Sequence, residues 1–431
     1  MEMRLNPGSD IISNLPEQVI ETILVHLPIG DAVRTSVLSQ KWRYNWTTIP
    51  ELVFDDNSIP PPVFDENHIL TAQDVTIRMH KIVNFIDRVL LLHKGPVHKF
   101  EFSTLFLKDS FIDAWILFLS RNGVKELTIN YRGEKYYRAP YSFFSCQAIN
   151  CLNLLYCILE PPSVFKGFSH LKSLNLHSVT LSDEVLETII SNCIALERLR
   201  LIELRGCTRL KIWGLNLQHF DFQGELTHIC FLDAPRLSFV SIFSDDWLLE
   251  HVGQGDSCNF VQVLGPLTGL EKLATNDNFM KSLAFGNLLA RLPVTFDRLK
   301  SISLVMNFED LNETLVMLCL LQSSPNLHEL EIVHNDNDFK DLEEDFWEAQ
   351  GHLDCSMNHL RVVRVSDIVG IQPELQFMKF LLANSPVLEI LSVIPRSEII
   401  VDKTMIMKEL LRFQRASVIA EIVYTPNLSE D

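Results

Sequence analysis

One spacing of apolar residues limits what this chain can fold into: apolar-x-x-apolar-x-apolar, repeated over most of its length. It runs through Val97/Phe100/Phe102, Val124/Leu127/Ile129, Leu152/Leu155/Cys157 and Leu171/Leu174/Leu176. It continues through Leu196/Leu199/Leu201, Leu217/Phe220/Phe222, Leu237/Val240/Ile242 and, less cleanly, Leu270/Leu273/Thr275. The last copies are Leu299/Ile302/Leu304, Leu327/Leu330/Ile332, Leu360/Val363/Val365 and Leu388/Leu391/Val393. Alternate residues of a strand point to one face, so each copy reads as a short strand with two side chains turned inward. No single copy can bury that face; only stacking on the next copy does. The returns between copies read as helices at 111–120, 183–193, 311–322 and 374–383, with Ser182 and Asp310 as N-caps for two of them.

The middle residue of the pattern recurs on average about every 26 positions, inside the range of leucine-rich repeats. The asparagine that closes a regular unit of that kind is mostly missing. The expectation is therefore α/β: an irregular leucine-rich-repeat solenoid, a parallel sheet backed by helices in a horseshoe. A chain of 431 residues with 47% hydrophobic and 21% charged residues has the apolar content such an array needs. Its net charge of −18 opposes capture of a phosphate backbone, so no nucleic-acid partner is expected. Part of that charge is local. Asp336, Asp338, Asp341, Glu343, Glu344, Asp345 and Glu348 face only Lys340 in one stretch, which reads as a solvated loop. The opening residues hold no apolar signal core and no run is long enough to span a bilayer, so no membrane partner is expected. Nine cysteines without a CxxC pair read as reduced, mostly buried thiols, which fits the cytoplasm or nucleus.

Ahead of the repeats, residues 10–56 read as a short helical module with more apolar surface than it can bury. Val19, Ile20, Ile23, Leu24 and Leu27 recur at helical spacing after Leu15-Pro16. Pro28-Ile29-Gly30 interrupts that helix, and Asp31 is suited to cap a second one carrying Val33, Val37 and Leu38. Ser39 then opens a third, with Trp42 and Trp46 four apart on one face. The order Leu15-Pro16, Ile20, Ile23-Leu24, Leu27-Pro28, Asp31-Ala32-Val33, Val37-Leu38-Ser39, Trp42 and Trp46 resembles the F-box of plant F-box proteins. In the C-terminal part, HLDCSMNHLRVVRVSDIVG, ELQFMKFLLANSPVLEILSV and ELLRFQRASVIAEIVY resemble the FBD segment of plant F-box/leucine-rich-repeat proteins. The domains expected are a three-helix F-box at 10–56, a proline-rich linker and amphipathic helix at 57–96, repeats at 97–350, and an FBD segment at 351–431 that continues and caps the solenoid. Few contacts are expected across the linker.

The resemblance implies a substrate-recognition subunit of a ubiquitin ligase, in which a Skp-type adaptor joins the F-box to a cullin. It implies adaptor binding through Leu15, Pro16, Ile20, Leu24, Leu27, Pro28, Val37, Leu38, Trp42 and Trp46. A target protein would meet outward residues of the repeat strands: Ser173, Asn175, Arg198, Arg200, His219, Asp221, Glu329, Glu331 and Arg364. The alternative is a regulatory F-box protein that engages the adaptor and delivers no substrate. No catalytic constellation, cofactor or metal site is legible. Gly253-x-Gly255 lacks the third glycine of a dinucleotide loop, Asp336-x-Asp338 is followed by Lys340 where a calcium ligand belongs, and His228 with Cys230 has no second ligand pair.

Overall fold

The computed structural model describes residues 12, 15–55, 58, 71–105, 108–133, 135–225, 227–245, 260–284, 292–335, 346, 357–396 and 403–425. The acidic stretch at 336–348, except Phe346, and the linker at 57–67, except Ser58, lie outside the described residues. The chain divides into two units, Met1–Leu196 with Leu204–Cys207, and Glu197–Glu203 with Thr208–Asp431.

The first unit opens with helices α1 (Glu17–Val25) and α2 (Ile29–Arg34) and 3-10 turns at Thr35–Val37 and Asn45–Thr48. Then come β1 (Glu51–Asp55), α3 (Ala72–Leu92), β2 (Lys99–Leu105), α4 (Asp109–Arg121) and β3 (Glu126–Arg132). The short β4 (Tyr137–Arg138), β5 (Cys151–Leu155), the short β6 (Cys157–Ile158), β7 (Ser173–His177) and α5 (Asp183–Asn192) complete it. Strands β1, β2, β3, β5 and β7 pair in that order, all parallel, as stacked repeats require. Helix α3 starts where Thr71 and Asp74 form a reciprocal capping box, and it buries Met79, Ile82, Val83, Ile86, Val89 and Leu90 as the periodicity predicts. Ser182 caps α5 by accepting the Val185 N–H.

Two expectations are corrected here. The N-terminal module does not end before the sheet, because β1 is itself the first repeat strand. Ile49/Leu52/Phe54 has the repeat spacing, and Leu52 lies opposite Phe100 and Phe54 opposite Phe102. The N–H groups of Lys94 and Gly95 donate to the Thr47 carbonyl, and those of His98 and Lys99 to that of Pro50. Main-chain bonds therefore join the module to the repeats, where only a linker was expected. The second correction concerns Leu152/Leu155/Cys157. Leu127 pairs with Leu152 and Ile129 with Leu154, so the true copy is Ile149/Leu152/Leu154. In an unbroken apolar run the spacing fits more than one register, and only the neighbouring strand selects one.

The second unit begins with β8 (Arg198–Ile202), β9 (Arg209–Trp213), β10 (His219–Gly224), β11 (His228–Asp233) and β12 (Phe239–Ser244). It continues with α6 (Phe260–Leu264), β13 (Lys272–Thr275), α7 (Asp277–Ala284), β14 (Ser301–Met306), α8 (Leu311–Gln322) and β15 (Glu329–His334). Last come β16 (Val362–Ile368), α9 (Gln372–Asn384), β17 (Ile390–Pro395), α10 (Lys403–Arg412) and β18 (Glu421–Tyr424). Strands β8, β10, β12 to β18 form one parallel sheet in that order. β9 and β11 pair with each other in a separate two-stranded sheet, a β return where other repeats use a helix. The core is a file of inward residues, one from each strand but β18: Leu199, Phe220, Val240, Leu273, Ile302, Leu330, Val363 and Leu391, none more than 2% exposed. The C-terminal segment runs strand–helix–strand–helix–strand, from β16 to β18. Its final strand starts at Glu421, and Val418 and Ile419 before it are exposed.

Buried carboxyl groups close two strand-to-helix turns of this unit. Asp310 caps α8 by accepting the Asn312 and Glu313 N–H groups. Glu313, wholly buried, accepts the Asn307 N–H at 2.7 Å and meets Lys281 Nζ at 3.2 Å. Glu374, equally buried, accepts N–H groups from Val369, Gly370 and Ile371 and lies 3.1 Å from His334 Nδ1. Burial pushes Glu313 up to about 8 and Glu374 to about 7, although the hydrogen bonds each accepts act the other way.

Candidate functional site

The N-terminal module sorts its apolar residues between two directions. Pro16, itself in extended backbone, caps α1, and its carbonyl accepts the Val19 and Ile20 N–H groups to start the helix. From that start, Ile20 and Leu24 turn inward and are fully buried, whereas Val19, Ile23 and Val25 stay exposed. The second helix begins at Ile29, with Pro28 at its N-cap. Asp31 sits in its first turn and pairs with Arg34, so it does not cap the helix as expected. Gly30 is needed there, since a Cβ would lie 2.2 Å from the Ser58 carbonyl oxygen.

No third α-helix follows. Ser39 accepts the Trp42 N–H at 3.4 Å, but residues 40–44 form turns and Asn45–Thr48 a 3-10 turn. Pro50 holds Ile49 extended, and the chain passes straight into β1. The two tryptophans therefore do not share a helical face. Both are buried, with Trp42 Nε1 donating to the Ile12 carbonyl and Trp46 Nε1 to that of Arg43. They are the closing core of the module. Of the ten residues expected at an adaptor surface, Ile20, Leu24, Trp42 and Trp46 are buried and Leu15 and Leu27 half-buried. Pro16, Pro28, Val37 and Leu38 are exposed, Val37 by 87%. Val19 and Ile23 belong with this outer group. The module's helical period made one broad stripe of residues that the fold splits into an inner and an outer row.

The outward residues of the repeat strands fall into separate sets. Ser173 and Asn175 lie on β7 in the first unit, with Asn175 opposite Asn153, whose amide donates to Thr128 Oγ1 at 3.0 Å. In the second unit Arg198 and Arg200 lie opposite His219 and Asp221, and Arg200 pairs with Asp221 at 3.0 Å. Glu331 lies opposite Arg364, with Glu329 on the same strand. Burial lowers the His219 pKa, which favours a neutral ring. That ring stacks on Phe239 at 4.0 Å and an interplanar angle of 1°. Phe239 and Lys272, also on this face, were missed. The signal was present, because both occupy outward positions of the repeat spacing.

Chemistry of other kinds finds little footing. Among the described residues no group of three or more His, Cys, Asp or Glu is arranged to hold a metal, and no helix is long and apolar enough to cross a membrane. His228 and Cys230 sit at alternate, half-buried positions of β11. Burial pushes the Cys146 thiol up to about 12 and that of Cys319 to about 11, and raises Cys157 further, which disfavours the thiolate a nucleophile needs.

A helical module sharing a sheet with an array of leucine-rich repeats defines the class, and comparison with known proteins defines the family. Residues 12–52 match the F-box domain, residues 112–332 the leucine-rich repeats of FBD-associated F-box protein At5g56370, and residues 350–393 the FBD family. The chain is 41% identical over 430 residues to the Arabidopsis thaliana F-box/FBD/LRR-repeat protein At1g13570, covering 97% of this chain and 99% of that one. It is 25% identical over 450 residues to F-box/FBD/LRR-repeat protein At5g56420, covering 96% and 99%, and 26% over 449 to FBD-associated F-box protein At5g56370, covering 96% and 100%, both from the same plant. The chain belongs to the F-box/FBD/LRR-repeat family and is an F-box protein.

Proposed function

We propose that this protein is the substrate-recognition subunit of a Skp-adaptor/cullin ubiquitin ligase, acting in the cytoplasm or nucleus. Its F-box binds the adaptor and its repeats bind a target protein. Transfer of ubiquitin is then accelerated by proximity, with the chemistry supplied by other subunits. The observation that carries the reading is the outer row of the module. Pro16, Val19, Ile23, Val37 and Leu38 remain exposed on a piece whose own core is already closed by Trp42 and Trp46. Exposed apolar residues gathered on one small module mark a protein-interaction surface. The test is binding of the purified full-length chain to a panel of plant Skp-type adaptors. Stable binding to at least one member is expected, and Val37→Asp with Leu38→Asp should abolish it. An adaptor panel that gives no binding rejects the proposal. Accumulation of co-purifying targets when the proteasome is blocked tests delivery separately.

A further inference from the structure

The sheet face of the second unit carries an ordered sequence of chemistries. On its basic side are Arg198 on β8 and Lys272 on β13, both exposed. Between them His219 and Phe239, on β10 and β12, make the stacked ring platform. Register places Arg198, His219, Phe239, Lys272, Ser301 and Glu329 in one row across six strands. The row thus reads cation, ring pair, cation, small hydroxyl, anion. Glu331 lies two residues beyond Glu329 on the same face, between Ser303 and Arg364, and adds a second carboxyl at this end. In the adjacent row Ser241, Ala274 and Ser303 lie side by side, all small, with Ala274 and Ser303 half-buried and Ser241 only 7% exposed.

We propose that this face docks an extended segment of a target protein in which acidic residues flank one aromatic or large aliphatic side chain and a basic residue follows. The apolar side chain lies against Phe239 and over the small side chain of Ala274. The flanking acids meet Arg198 and Lys272, and the basic residue meets Glu329 and Glu331. Neighbouring strands are about 4.8 Å apart, so the three steps from β12 to β15 cover about 14 Å. An extended chain advances about 3.3 Å per residue, which puts the basic residue about four positions after the apolar one. Charge order fixes the direction of the segment, because a reversed one would place like charges together at both ends. The inference rests on the reading that the repeats recognise a target, and it names that target's docking chemistry.

The probes are two fluorescein-labelled peptides, Asp-Asp-Gly-Phe-Asp-Ser-Gly-Lys-Lys and its charge-reversed form Lys-Lys-Gly-Phe-Lys-Ser-Gly-Asp-Asp. Anisotropy is measured with the full-length chain at physiological salt. The first peptide should bind at least about tenfold more tightly. The net charge of −18 favours the reversed peptide at long range, so this preference reports the local face. Phe239→Ala should weaken the first peptide, and the quadruple variant Arg198→Glu, Lys272→Glu, Glu329→Lys, Glu331→Lys should invert the preference. Thermal melts of each variant identify any that fails to fold, in which case the wild-type comparison still decides. Equal binding, preference for the reversed peptide, or no binding of either at about 1 mM overturns the proposal. Adaptor binding by the same preparation is scored separately, so loss of the peptide preference with adaptor binding intact rejects the docking chemistry and leaves the adaptor reading standing.

Discussion

The N-terminal module and the repeat strands use the same kinds of residue for opposite ends. In the strands, every second apolar side chain faces a neighbouring strand's equivalent and is buried, as with Leu199, Phe220 and Val240. In the module, helix α1 buries only Ile20 and Leu24 and leaves Val19, Ile23 and Val25 in solvent. The difference lies in what covers each face. A repeat strand always has a next strand, so its apolar face is closed within the chain. Among the described residues, the two short helices and the pair of tryptophans have no covering strand, so Val19, Ile23 and Val25 stay exposed. Yet the two regions are joined, since β1 leaves the module and pairs with β2.

The sharpest test of that comparison is to cut it in two places. A fragment of residues 57–431 lacks β1, so it bares the β2 edge and removes Leu52 and Phe54, both fully buried. Such edges aggregate, and each lost core side chain costs about 2–5 kcal/mol. A fragment of residues 45–431 keeps β1 and should elute as a monomer with a cooperative melt. Size exclusion and thermal unfolding side by side decide this. A well-behaved 57–431 fragment would show that the F-box is an independent bead after all.

Next in size is the contrast between inner and outer residues of the module. Trp42→Ala should cost about 3–5 kcal/mol and lose adaptor binding through unfolding of the module. Val37→Asp, at a site 87% exposed, should leave the melt unchanged and still weaken the adaptor complex. Should both variants change stability alike, the division into two rows is wrong.

The buried carboxylates predict a pH dependence confined to the second unit. The folded pKa values of Glu313 and Glu374, about 8 and about 7, lie above the ordinary 4.5. The folded state therefore binds these protons more tightly than the unfolded chain. Their stabilising contribution is fully present below about pH 4.5 and is lost as pH rises toward 8. Unfolding temperature should fall between pH 6 and pH 8.5. Glu313→Gln keeps an acceptor for the Asn307 N–H and should flatten that slope, while the same variant with an unchanged slope would assign the effect elsewhere.

The smallest effect expected is at a helix cap. Ser182→Ala removes the acceptor for the Val185 N–H and should cost about 1 kcal/mol. At an exposed turn, hydrogen exchange should quicken in the first turn of α5 and nowhere else.

Much of this architecture is written in the sequence because repeats are local. Each strand needs only its own alternating pair, and each helix only its period and cap, so α4, α5, α8 and α9 begin within two residues of the starts that periodicity assigns. The family, too, was legible, because the F-box order of residues survives in one short stretch. Direction of burial was not legible. Helical spacing groups Val19 with Ile20 and Ile23 with Leu24, and nothing in a single helix says which pair member meets the core. Trp42 and Trp46 read as an exposed anchor until Ile12 and Arg43 supply carbonyls that fix both indoles inside. Register failed in the same way at Leu152, where several apolar choices satisfy one strand and only pairing with Leu127 selects between them. The sequence by itself determined that there would be repeats, where their strands and helices lie, and which family they form. Tertiary structure alone decided that Ile49/Leu52/Phe54 starts the sheet, that the tryptophans close the module, and which charges meet across strands, because each of those outcomes depends on a neighbour distant in sequence.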